Sequence, residues 1–252
     1  TNGDLKPEET DTAVYVLSRN SGEGRDRRDL PGEYELFDVE ENAIRSIAAT
    51  YAKTIVVLNV GSVIDMKTLK AIDGIGAILL MSQAGNFGGY ALADVLTGKA
   101  VPSGRLTTTW AVNYTDYPCA DSFSHRNGDV NDEYYSEGIY VGYRYFDTFN
   151  VTPQYPFGYG KSYTDFSLSL EEVAANEKRV QLRVKVTNTG KLPGREVVQV
   201  YVKALDYPEA PIKSLRGFQK LTLAAGATGH ATITLDEEAF EYYDPSIDEL
   251  SM

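Results

Sequence analysis

The chain has 252 residues, 42% apolar and 24% charged, a balance suited to a water-soluble globular protein. Its net charge of −12 argues against a nucleic-acid partner, which would want a basic face, and suits a neutral or hydroxyl-rich ligand. One cysteine, Cys119, and two histidines, His125 and His230, exclude an internal disulfide framework and leave little for metal or histidine-triad chemistry, so neither metal nor cofactor is expected. No apolar run approaches the ~20 residues of a membrane helix, so no membrane partner is expected either. The opening "TNGDLKPEET" carries no leader pattern and equally suits the start of a processed or truncated chain.

"TAVYVL" (Thr12–Leu17) is short, apolar and β-branched, and predicts a buried strand. The loop after it, "NSGEGRDR", sets Glu23 between Gly22 and Gly24, with Arg25, Asp26 and Arg27 behind. Asp38 with Glu41 three residues on has the form of a capping box. Ile44, Ile47, Ala48 and Tyr51 then recur at helical spacing. "TIVVLNV" (Thr54–Val60) and "GAILLMS" (Gly76–Ser82) predict two more buried strands, and Asp65 in "GSVIDM" a helix N-cap. "GGYALADVLTG" predicts a helix closed by glycine. Buried strands separated by helices imply a mostly parallel, partial doubly wound sheet, with its ligand crevice at the carboxyl ends of the strands. Glu23, the Gly61–Asp65 segment and the Gln83–Gly89 segment all follow such ends.

After Trp110 the texture changes. Residues 111–160 are rich in Tyr, Asn, Asp and Pro and read as a long irregular connection. From about Ser162 the pattern is all-β. In "VQLRVKVTNTG" Val180, Leu182, Val184 and Val186 share one face. "EVVQVYVKA", "KSLRGFQKLTL" and "GHATITL" supply further strands, which suggests an antiparallel immunoglobulin-like sandwich. The last stretch, "EYYDPSIDELSM", shows no closing strand. The expected organisation is a partial α/β domain over 1–115, an irregular Tyr-rich linker over 116–161 and a sandwich over 162–252, C-terminally truncated.

Six segments in fixed order resemble glycoside hydrolase family 3, the family of bacterial β-glucosidases. They are "SRNSGEGRDR", "KTIVVLNVGSVIDM", "GGYALADVLTGKAVPSGRL", "YSEGIYVGYRYFDT", "YPFGYGKSYTDF" and "GREVVQVYVKA". The resemblance runs from about Thr12 to the end. It implies the later part of the family's α/β sandwich followed by a fibronectin type III-like domain. The family's (β/α)8-type barrel, which carries the nucleophilic aspartate, has no counterpart in the sequence. One departure stands out: "GNFGG" (Gly85–Gly89) where the family usually shows a "GQEGG"-like run, which removes any role of that glutamate.

A retaining glycosidase needs two carboxyl groups about 5–5.5 Å apart, one a nucleophile and one a general acid/base. The resemblance maps the acid/base onto Glu23. Flanking glycines on a strand-end loop suit a carboxylate that must reach another domain. Arg25 and Asp26 are candidates for sugar hydroxyls, although pairing of Asp26 with Arg27 or another arginine is the default for such a charge cluster. An arginine beside Glu23 would favour the ionised carboxylate, so the arginines are expected to point elsewhere or to be offset by the nucleophile.

The expected function is that part of a retaining β-glucosidase which supplies Glu23 but not the nucleophile, and which is inactive alone. Its substrate would be a glucoside or oligosaccharide and its partner the missing barrel, with homo-oligomerisation left open. The setting favoured is the bacterial cytoplasm, with secretion the other option. The alternative is a non-catalytic carbohydrate-binding or scaffolding module.

Overall fold

A computed structural model describes residues 5–20, 22, 24–205, 207–244 and 249–251. Two compact units emerge. The first comprises residues 1–96, 110–137 and 153–155, and the second residues 97–109, 138–152 and 156–252.

The first unit is built on a parallel sheet of order β1-β2-β3, with β1 at Thr12–Ser18, β2 at Lys53–Asn59 and β3 at Ile75–Leu80. The pairing runs in register from Thr12 opposite Lys53 to Ser18 opposite Asn59. Three buried strands were expected, but only β2 is buried along its length, with Val56, Val57 and Leu58 at 0–2% exposure. On β1, Val14 and Val16 are about half exposed, and β3 is mostly half-exposed or exposed. The difference follows from sheet position, because β2 has a neighbour on each side and the other two strands are edges among the described residues. Helix α1 (Asp38–Thr50) buries Ile44 and Ala48. Its N-cap is Phe37 rather than Asp38. The residue that reaches back is Glu40, whose Oε2 accepts from the Phe37 N–H at 2.9 Å, one position earlier than the Asp38/Glu41 spacing suggests. Helix α2 (Met66–Lys70) is capped by Asp65, whose Oδ1 accepts from the Lys67 N–H at 2.8 Å. Helix α3 (Gly88–Leu96) follows β3.

The second unit opens with helix α4 (Tyr143–Thr148) among irregular segments. Strands β4 (Phe166–Asn176), β5 (Arg179–Asn188) and β8 (Thr228–Asp236) form one antiparallel sheet, and β6 (Gly194–Val202) pairs with β7 (Ser214–Leu223) in another. The alternating positions of β5 meet those of the second sheet. Val184, Val186, Val198, Leu223, Ala231, Ile233 and Leu235 make one buried cluster, the inner layer of a sandwich. At its rim Asn188 is fully buried and its amide is fully partnered. Its oxygen accepts from the Thr164 hydroxyl at 2.6 Å and the Gly190 N–H at 3.1 Å, while its nitrogen donates to the carbonyls of Leu192 and Leu223.

One expectation changes here. The tail, read as lacking a closing strand, holds a short antiparallel pair, β9 (Tyr242–Asp244) with β10 (Glu249–Ser251). Three residues a side are too few for a visible alternation. The tyrosines of "YVGYRYFDT" pack within the second unit. Tyr143 lies edge-on to Tyr201 of β6 at 5.7 Å, and its hydroxyl oxygen accepts from the Leu215 N–H of β7 at 2.7 Å. Arg105, from the "PSGRL" motif, grips both carboxylate oxygens of Glu196 on β6 at 2.8 Å and also donates to the Gly160 carbonyl.

Candidate active-site loop

The segment of interest leaves the carboxyl end of β1 and runs to the start of α1. Glu23 and Ser21 lie outside the described residues, so the geometry is that of their surroundings. Gly24 sits at φ +77°, a left-handed conformation that side chains disfavour, with open space around it. The chain therefore turns sharply right after Glu23, as the glycine suggests.

The arginines have other occupations. Arg19, 6% exposed, continues the β1–β2 pairing by donating its N–H to the Asn59 carbonyl at 3.2 Å. Its guanidinium meets both oxygens of Glu40, at 2.8 and 2.7 Å, and donates to the carbonyls of Ser18, Glu33 and Glu35. Five donors thus find five acceptors, the condition under which a buried guanidinium is tolerated. Arg27 donates to the Glu33 carbonyl at 3.1 Å and to the Val63 carbonyl, in the loop after β2, at 2.6 Å.

Arg25 and Arg28 converge on one carboxylate, that of Glu33. Its Oε1 accepts from Arg25 at 2.9 Å and from Arg28 at 2.8 and 3.2 Å, and its Oε2 accepts from the Arg28 backbone N–H at 2.6 Å. These bonds, those from Arg28 foremost, hold the Glu33 carboxyl down to about 2. A turn makes the approach: the Glu33 N–H returns to the Leu30 carbonyl and the Tyr34 N–H to the Arg28 carbonyl.

Asp26 does not pair with Arg27, contrary to expectation. It is exposed and has no ion-pair partner among the described residues, because Arg27 spends its guanidinium on two carbonyls and Arg25 and Arg28 are drawn to Glu33. Glu33 and Glu40 were missed as organisers of the loop. The available signal was arithmetic: three arginines within Arg25–Arg28 need counter-charges, and the acids lie just downstream.

The strand-end loops adjoin one another. The Asp65 N–H donates to the Tyr34 carbonyl at 2.9 Å, and the Gln83 side chain lies so close to Gly61 that a Cβ there would meet it at 2.7 Å. Part of the Tyr-rich segment backs the loop. Tyr114 stands edge-on to the buried Tyr34 at 5.2 Å, and Arg126 stacks over the Tyr114 ring while facing Asp29 at 3.8 Å. Burial pushes the Tyr34 hydroxyl well above its ordinary range.

The model for the glycosyl hydrolase family 3 C-terminal domain matches residues 4–143, more than half of the chain. The chain belongs to glycosyl hydrolase family 3. A fibronectin type III-like domain matches residues 196–251, in line with the sandwich. Among curated relatives, a β-glucosidase of Ruminococcus albus is 38% identical over 245 residues, covering 95% of this chain and 25% of that protein. The thermostable β-glucosidase B of Acetivibrio thermocellus is 38% identical over 235 residues, covering 86% and 30%. Among solved structures, β-glucosidase 3B of Thermotoga neapolitana in complex with glucose superposes with a TM-score of 0.89 at 36% identity, covering 94% of this chain and 34% of that one. The family 3 chain thus spans about a quarter to a third of the length of these relatives.

Proposed function

We propose that this family 3 chain forms the acid/base-bearing part of a retaining β-glucosidase that cleaves terminal β-D-glucosyl residues. Glu23 is the general acid/base, and the nucleophile comes from a barrel domain that the chain does not contain. In the first step Glu23 donates its proton to the glycosidic oxygen as the leaving group departs, while the barrel carboxylate attacks the anomeric carbon. In the second step Glu23 takes a proton from water as it displaces that carboxylate. The relatives named as β-glucosidases support the substrate class.

The observation that carries the reading is the prior commitment of the surrounding cations. Arg25 and Arg28 bind Glu33, and Arg19 binds Glu40. A general acid must stay protonated near the working pH, which a free neighbouring cation opposes. Asp26, exposed and with no ion-pair partner among the described residues, has its carboxylate available for a sugar hydroxyl. Arg25 keeps further N–H donors beyond its bond to Glu33.

The test is Glu23→Ala in the full-length protein that carries this chain. Turnover of cellobiose should fall by roughly 100-fold or more, while a dinitrophenyl β-glucoside, whose leaving group needs no proton, should lose little in its first step. Azide should restore part of the rate, because as an anionic nucleophile it displaces the barrel carboxylate in place of water and needs no general base. Unchanged cellobiose turnover would sink the assignment.

A further inference from the structure

We infer that Glu33 is a positioning residue for the acid/base step, an inference that rests on the reading of Glu23 above. Glu33 touches no reacting atom. Its carboxylate fixes the segment immediately after Glu23 at two points, the Arg25 guanidinium two residues on and the Arg28 backbone N–H five residues on. The Arg28 guanidinium adds two more bonds to the same oxygen. The Glu33 carbonyl holds the other two arginines of the loop, Arg19 and Arg27, at 3.2 and 3.1 Å.

All four arginines of residues 19–28 therefore meet at one residue, and Arg27 carries the connection on to Val63 behind β2. Ahead of this anchor the only described residues next to Glu23 are glycines. The direction of the chain leaving Glu23 is set by Gly24, at φ +77°, and by what holds Arg25. Reaction rates respond steeply to displacement of a proton donor. A side chain that anchors residue 25 thus acts on residue 23 through the two intervening backbone links.

The experiment uses Glu33→Gln and Glu23→Ala, each in the full-length protein, with cellobiose and a dinitrophenyl β-glucoside as substrates. Glu33→Gln should lower kcat/KM for cellobiose on the order of 10–100-fold and for the activated glucoside less than about 3-fold. A merely structural role would lower both alike, so an equal loss, or none, overturns the inference. Should Glu33→Gln not fold, as read from its melting curve, Arg28→Ala removes the two guanidinium bonds that reinforce the anchor and carries the same leaving-group test. Where both single variants fold, Glu33→Gln combined with Arg28→Ala should lose no more than the larger single loss, since both act through one anchor, and simple addition of the two losses counts against it. Failure of the parent reading is distinguishable. If Glu23→Ala shows no leaving-group dependence, both claims fall. If it does and Glu33→Gln does not, only the positioning role falls.

Discussion

Glu33 shows how a single side chain can take on a role its neighbours in sequence do not announce. Nothing in "LPGEYEL" marks the glutamate as special, and its importance comes from the turn that returns it to Arg28. With its carboxyl held down to about 2, against an ordinary value near 4.5, the group stabilises the folded state above its unfolded titration range. That contribution is lost as pH falls toward 2, where the folded carboxylate is finally protonated. The melting temperature of the protein should therefore exceed that of Glu33→Gln at neutral pH, and the gap should close between about pH 5 and pH 2. A gap that stays constant over that range would contradict the ion-pair origin. The group lies near solvent, so the gap should also shrink in high salt.

At the scale of elements, the readable parts were those whose pattern is set by burial on the spot. The apolar run of β2 and the strict alternation of β5 were legible because each lies on a core. β4 was not, since Leu168, Leu170 and Val173 are exposed and "SLSLEEV" lacks an inner face to impose a period. The start of α1 was placed one residue late. Phe37 offers no side-chain acceptor, and the preference of Asp for the cap position outweighed it in the reading. In the loop, the glycine turn at Gly24 was legible because the residue type itself demands it. The partners of the arginines were not, since an ion pair across a turn depends on where the backbone brings the acids.

The buried pair of Arg19 and Glu40, which ties the end of β1 to the first turn of α1, belongs to this scale too. Their side chains are only 3% and 17% exposed. Arg19→Met should lower unfolding free energy by about 3–5 kcal/mol, because it leaves Glu40 sheltered without its counter-ion. Arg19→Met with Glu40→Gln should recover part of that loss. Urea unfolding of the three proteins checks both expectations, and a single-variant loss below about 1 kcal/mol would contradict the picture.

For the whole molecule, the decisive fact is length. A chain that spans a quarter to a third of its β-glucosidase relatives carries, on the reading above, one of two catalytic carboxylates. The purified 252-residue chain should therefore show no turnover of aryl β-glucosides above background, and only weak binding of glucose or cello-oligosaccharides by calorimetry. Activity in a contaminant-free preparation would reveal a second carboxylate within the chain. The order of motifs made the two-part architecture legible without a structure. Where the Tyr-rich stretch divides was not: residues up to 137 belong with the α/β unit and 138–152 with the sandwich unit. Aromatic residues in irregular chain carry no periodicity to say which core they join.

The bond from Arg27 to the Val63 carbonyl and that from Asp65 to the Tyr34 carbonyl mean that the loops after β1 and β2 are not separable parts. In protein engineering, loops of this kind are treated as cassettes, exchanged between relatives to transfer specificity. A transplant of residues 19–37 alone would depend on the host's loop after β2 placing its backbone where Arg27 reaches the Val63 carbonyl and where the Asp65 N–H reaches the Tyr34 carbonyl. The unit of inheritance here is the pair of loops, and only an exchange that moves both should carry this geometry across intact.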